Sequence, residues 1–414
     1  MRGICAAAVW VLLLAAARAD EPRALTSADK KEMDRILREF VEGNEEVRAK
    51  LLEAATAFDK IAAKDFAPYA DKLAKLKRKL LPGKGGAERL TLTLPDGQSW
   101  SYQIRCPGGY VPGKPVPLLI FLHGTKGYDR AEDWLNAGPG AGYLTLTPLA
   151  PSGWWDRAET DKLFFETLRL LRRNYSIDGN RVFLAGFNYG GCGTWYYGLR
   201  FPQLFAGLGP MAANFYPGND NFDAALHVPV WIWHGEKDED IAPDDARRAA
   251  KTLGDLGYKV QYKEVPGGLT CDWYMKDLNA IQKEFFAGIA KLKRTANPDK
   301  VIWSRKPPGK AYPTAVAWPD GCYWIEVPES EKTASVTAEK TAKGKFKLTT
   351  KGAKRVTVLL NSALVDAGAP VEVELDGKAA FSGVPLCSLK TLLRTWGRYE
   401  DPELTYTAEV TVGK

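Results

Sequence analysis

The 414-residue chain reads as an α/β protein: a mostly parallel sheet with helices on both faces, preceded by a helical arm and followed by a small all-β sandwich domain. Three observations predict this. Between residues 88 and 293, short apolar runs alternate with amphipathic stretches, as in βαβ units. Residues 26 to 80 show helical periodicity alone, and beyond residue 320 the pattern changes to short alternating strands. With 45% hydrophobic residues there is ample material for packed cores, and the length favours two or more domains.

Taken in order, Met1-Arg2 is basic, Ile4 to Ala17 is apolar, and Ala17-Arg18-Ala19 precedes Asp20. Residues 1–19 therefore read as a secretory signal cleaved after Ala19. The apolar run is too short for a membrane span, and no later stretch approaches about 18 apolar residues. A secreted or periplasmic protein without a span in the mature chain is expected.

Residues 20–82 form the arm. Met33, Ile36, Leu37, Phe40 and Val41 make one stripe, Val47, Leu51, Ala54, Phe58 and Ile61 a second, and Tyr69, Leu73, Leu76 and Leu80 a third. Thr26 or Ser27 supplies an N-cap, Gly43-Asn44 separates the first two helices, and Pro68 starts the third. Packing on the protein's own body is expected, with docking of a partner as the alternative.

Residues 83–296 carry the α/β domain. Leu90 to Leu94 and Trp100 to Ile104 alternate about a Pro95-Asp96-Gly97-Gln98 turn, which is a hairpin. Buried strands follow at Pro117 to Leu122, Tyr143 to Pro148, Val182 to Ala185, Val228 to Trp233 and Lys259 to Val265. Amphipathic helices are expected at Asp161 to Arg173, after Gly191, from Pro243, and at Asp277 to Arg294. Residues 297–414 open with a Pro- and Lys-bearing crossing segment and continue as strands at 322–327, 334–342, 345–351, 355–361, 371–375 and 405–412. A helical turn near Leu386 to Thr395 interrupts them.

The most informative stretch is RVFLAGFNYGGCGT, residues 181–194. An apolar strand runs into Gly186-Phe187-Asn188-Tyr189-Gly190-Gly191 and then into a helix, the strand-turn-helix arrangement of a nucleophile elbow, G-x-S-x-G. The middle residue is Asn188 where a serine would stand. Asparagine tolerates positive φ but has no hydroxyl to attack a carbonyl.

These residues, with Tyr175-Ser176-Ile177-Asp178, Phe201-Pro202 and Leu204-Phe205-Ala206, resemble the α/β-hydrolase superfamily. The resemblance is to secreted esterases, feruloyl-esterase-like and polyester-depolymerase-like enzymes and putative peptidases. It implies the α/β-hydrolase fold, with Thr125 after His123-Gly124 and Tyr189 donating backbone N–H groups to an oxyanion hole. It makes Asp238, in His234-Gly235-Glu236-Lys237-Asp238, the counterpart of the triad acid. It puts Cys271, just before Asp272-Trp273, where the general-base histidine belongs. The chain has three histidines, 123, 227 and 234, none downstream of the acid, and a thiol does not replace imidazole as a base. His123 and His234 read as structural, and Asp238 as an exposed loop residue or a cap for the helix near Pro243. Trp154 and Trp155, in a loop at a strand's carboxyl end, and Trp273 are candidate ligand-binding residues.

Net charge is +7, or +5 once Arg2 and Arg18 leave with the signal, and the lysines are dispersed among acids. That describes a solvated surface and excludes a nucleic-acid footprint. Cys5 leaves with the signal, and the five remaining cysteines lack a C-x-x-C pair, so no metal site and no cofactor is expected. Buried free thiols are expected, with a Cys322–Cys387 bridge left open. The sequence points to a non-catalytic binder of an ester, carboxylate or glycan-like ligand, with a peptide also open. The alternatives are an active carboxylic-ester or Cys271-dependent acyl hydrolase with a non-standard site, or an interaction protein in which the arm and β-domain act.

Overall fold

The computed structural model describes residues 22–76, 80–94, 97–124, 130–150, 154–215, 220–269, 272–306 and 319–413. The arm comprises α1 (Ser27–Glu42), α2 (Glu45–Ala54) and α3 (Ala63–Lys75). Thr26 starts α1 through a capping box: its hydroxyl accepts the Asp29 N–H while the Asp29 carboxylate accepts the Thr26 N–H. Asn44 caps α2 by accepting the Val47 N–H. Pro68 does not start α3 but lies inside it. The chain is held at Ile61 by reciprocal backbone bonds to Cys387, so the helix begins soon after that anchor.

The body begins with an antiparallel hairpin, β1 (Glu88–Thr93) and β2 (Ser99–Arg105). It continues through β3 (Val116–Leu122), α4 (Ala131–Gly140), β4 (Leu144–Pro148), α5 (Ala158–Asn174), β5 (Ile177–Phe187) and α6 (Tyr189–Arg200). It ends with β6 (Gly207–Met211), β7 (Val230–Gly235), α7 (Asp244–Asp255), β8 (Val260–Val265) and α8 (Asp272–Ile289). The described residues make an eight-stranded sheet of order β1-β2-β4-β3-β5-β6-β7-β8, parallel from β4 to β8. With the strand-turn-helix at β5–α6 this is the α/β-hydrolase fold.

One strand here was not expected, and one helix start shifts. β6, GLGPM, carries two glycines and a proline, so its sequence resists reading as a strand. Burial between neighbours overrides propensity: a Cβ on Gly209 would lie 2.8 Å from the Phe285 ring. α8 starts five residues before the expected Asp277.

Beyond the body come β9 (Lys300–Arg305), β10 (Gly321–Cys322), β11 (Ile325–Ala342), β12 (Lys345–Leu360), β13 (Val371–Leu375), β14 (Lys378–Gly383), α9 (Leu389–Tyr399) and β15 (Ala408–Gly413). These strands form a seven-stranded sheet. β11 and β12 each unite two strands expected to be separate, and register shifts between Glu326 and Ser335 mark the bulges where their pairing breaks. One end pairs with β9 and β13 and the other with β10 and β15, so the two halves share one core. β9 lies within the expected crossing segment, and β14 is an edge strand the sequence did not announce.

The arm belongs to that second core. Met33, Ile36, Leu37 and Phe40 are buried in one cluster with Val336, Val358 and Leu392, each worth about 1.5–3 kcal/mol of burial. Val47, assigned to a stripe, is instead exposed. The body's two sheet faces carry separate clusters. Cys322 and Cys387 are buried free thiols, so the bridge left open from the sequence does not form.

Candidate functional site

β5 is buried from Val182 to Phe187 and pairs in parallel with β3 and β6, which carries the chain through the middle of the sheet to its carboxyl edge. There it reverses at Asn188, with φ 57° and ψ −122°, and enters α6 at once. For a residue other than glycine such a conformation costs about 1–3 kcal/mol. The turn survives because its neighbours over-determine it. The Asn188 N–H donates to Met211 O at 3.0 Å, and the Cys192 N–H donates to Asn188 O at 2.9 Å. A Cβ on Gly186 or Gly190 would collide with backbone, and one on Gly124 would sit 2.6 Å from Phe187 O. From beneath, the Phe187 ring stacks on Tyr274 with centroids 3.9 Å apart. This is the backbone of a nucleophile elbow, holding a carboxamide.

Asp238 occupies the loop after β7, as expected, but is neither exposed nor a helix cap. It is 6% exposed, and its Oδ1 accepts the N–H groups of Asp240 and Ile241 at 3.1 and 3.0 Å. The N-cap of α7 is Pro243, with no side-chain hydrogen bond. The carboxylate therefore stitches its own turn, because two local donors lie within reach of a short side chain. Its Oδ2 lies 3.8 Å from His234 Nε2, but that nitrogen is 2.7 Å from Ile241 O and must donate there. Burial lowers the His234 pKa and raises that of Asp238, so each side chain is pushed toward its neutral form and away from an ion pair.

The other histidines are also tied to the main chain. The Ala150 N–H donates to His123 Nε2 at 2.8 Å, which leaves the proton on Nδ1 to donate to Gly124 O at 2.9 Å. His227 Nε2 lies 2.6 Å from Lys300 O, on the side facing the second sheet. All three rings are spoken for by backbone groups.

The three tryptophans separate. Trp155 is fully buried and donates from Nε1 to His123 O at 2.9 Å, and Trp273 is 3% exposed against Gly235 and Phe187. Both indoles fill space that glycines leave, Trp155 against Gly193 and Trp273 against Gly235. Trp154 stays half-buried, its ring 4.4 Å from that of half-buried Tyr189. Thr125 and Cys271 lie outside the described residues. Asn214, exposed in the loop after β6, was not singled out; it accepts a hydrogen bond from Cys192 Sγ at 3.0 Å. No motif marks it, since the contact is made across two elements.

Two acids near α6 were also missed. Asp156 is fully buried, and burial raises its pKa. Asp161, on α5, accepts from Tyr196 Oη at 3.1 Å, and burial pushes it up to about 6. In sequence both resemble ordinary residues at a helix start.

Chemically, the first-turn N–H groups of α6, Tyr189 included, have no acceptor one turn earlier and suit a carbonyl or anionic oxygen. Among the described residues no group of His, Cys, Asp and Glu could hold a metal ion, and no helix is long and apolar enough to cross a membrane.

No family model matches the chain. It is 26% identical, over 32% of its length and 44% of the relative's, to poly(3-hydroxyalkanoate) depolymerase C of Paucimonas lemoignei. It is 24% identical, over 34% of its length and 22% of the relative's, to a bifunctional acetylxylan esterase/xylanase of Neocallimastix patriciarum. The chain spans less than half the length of the curated relatives it matches. Among solved structures, a thermostable esterase superimposes with a TM-score of 0.43 at 23% identity, covering 50% of this chain and 63% of that one.

Proposed function

We propose that this chain is a non-catalytic α/β-hydrolase-fold protein that holds an ester, carboxylate or glycan-like ligand at the mouth of the elbow. One observation carries the reading: Asn188 sits in the strained backbone of a nucleophile, while every histidine ring is bonded to main-chain atoms. Loss of the nucleophile or the base from such a unit costs about a millionfold in rate, and among the described residues the elbow carries no hydroxyl and no histidine ring is free of main-chain bonds. What supports binding is the helix N-terminus at Tyr189 and the half-buried Trp154 beside it. We further infer export, supported by the signal-like residues 1–19.

The test is a fluorophosphonate probe and short-chain nitrophenyl esters applied to the native chain and to the double variant Asn188→Ser, Cys271→His. The native chain is expected to be silent and the double variant to label. Native turnover abolished by Cys271→Ala would replace this reading with a thiol hydrolase. A glycan and peptide array, with Trp154→Ala as control, then seeks the ligand.

A further inference from the structure

The charges the site does not use are concentrated elsewhere. α9 ends at Glu400, whose φ of 50° turns the chain sharply before Asp401. Both side chains are buried, at 2% residue exposure each, and both meet arginines from distant segments. Glu400 accepts from Arg48 of the arm at 2.9 Å and from Arg173 Nε of α5 at 2.6 Å. Asp401 accepts from Arg294, beyond α8, at 2.7 Å and lies 2.9 Å from Arg172 of α5. Two of these guanidiniums go on to main-chain oxygens: Arg172 to Tyr399 O at 2.6 Å and Arg294 to Gln203 O at 2.8 Å.

The partners divide by core. Arg48, Glu400 and Asp401 belong to the arm and second sheet, which share one apolar cluster. Arg172 and Arg173 belong to the body, whose clusters are separate, and Arg294 is tied to it through Gln203 and Asn180. Tyr399 and Leu404 carry apolar contact across. Beside them the seam is open: a cleft of about 480 Å³ lies between Tyr175 and Gly179 on one side and Ala74, Leu76, Trp396 and Pro402 on the other. Chain crosses between the two units at residues 80–87 and 290–299.

We propose that Glu400 and Asp401, gripped by Arg48, Arg172, Arg173 and Arg294, form a charge latch that holds the arm and second sheet, as one unit, against the hydrolase-fold body. Releasing the latch lets the units part along the cleft while each keeps its own core. Matched, buried ion pairs suit this task because they are strong in one geometry and unfavourable in any other, so they specify how two surfaces meet.

The experiment uses the full chain carrying Glu400→Gln and Asp401→Asn, which keep shape and remove charge. Circular dichroism at room temperature, small-angle scattering and calorimetry are compared with the native chain. Expected are an unchanged spectrum, a larger radius of gyration, and two thermal transitions where the native chain shows one. A single transition shifted to lower temperature, with unchanged radius, overturns the proposal and makes the network ordinary core. If the double variant does not fold, Arg173→Gln, whose side chain is 30% exposed, is the milder cut. It is then expected to raise the radius or split the transition, and a compact, single-transition Arg173→Gln overturns the latch equally.

Discussion

Buried carboxylates in two regions of the molecule behave in opposite ways. Asp156, next to Trp155, and Asp161, on α5 against Tyr196 of α6, are pushed by burial toward the neutral form, and the attraction of Arg200 for Asp161 does not offset it. Asp401, at the seam, is buried, and burial alone would push it up too; Arg294 and Arg172 together hold it below the ordinary carboxylate range. The difference is how closely the guanidiniums approach: Arg294 and Arg172 stand 2.7 and 2.9 Å from Asp401, whereas Arg157 is 3.7 Å from Asp156. A carboxylate that the interior keeps charged is one the fold depends on for cohesion.

The comparison breaks most visibly at Asp401. Asp401→Ala leaves Arg172 and Arg294 buried without their partner and is expected to lose about 3–5 kcal/mol, measured by urea unfolding at pH 7. A loss under about 1 kcal/mol would mean that water reaches the seam. Asp161→Asn should move the other way. Its folded-state pKa, about 6, lies above the unfolded value, so its protonated form is favoured in the fold and the native chain loses stability as pH rises from about 4 to about 6. Removing the charge is expected to flatten that slope and to gain about 1–2 kcal/mol at pH 7, discounted because the side chain is only partly covered. Unfolding midpoints at pH 4 and pH 7 decide it: an unchanged slope would show that Asp161 is well solvated. The smallest effect concerns backbone rather than charge. Asn188→Gly relieves the positive φ and is expected to gain about 0.5–1 kcal/mol, read as a raised Tm. A fall would mean that the carboxamide itself holds the turn.

Much of the body was legible because parallel strands buried on both faces write continuous apolar runs, and Val182 to Ala185 and Pro117 to Leu122 do so. β6 was not, since Gly207, Gly209 and Pro210 carry no strand signal and are chosen for the space that Phe285 and Trp231 need. The arm's stripes were visible, but their partner was not: Met33 and Phe40 meet Val358 and Leu392 over more than 300 positions. At the site, Asn188 at the centre of the turn and the lack of a histidine downstream of Asp238 were plain from residue types alone. The fates of Trp155 and Trp273 were not, because a tryptophan in a crevice loop reads alike whether it faces a ligand or fills the gap left by a glycine.

The sequence by itself determined the order of elements and an elbow with Asn188 at its centre, since these follow from local periodicity and from which residue stands at a position. Only the tertiary structure decided that Asp238 closes its own turn, that the histidines serve the main chain, and that Glu400 and Asp401 gather four arginines. The physical reason is that hydrogen bonding and charge compensation depend on distance in space, and groups hundreds of residues apart leave no spacing in the chain to announce that they meet.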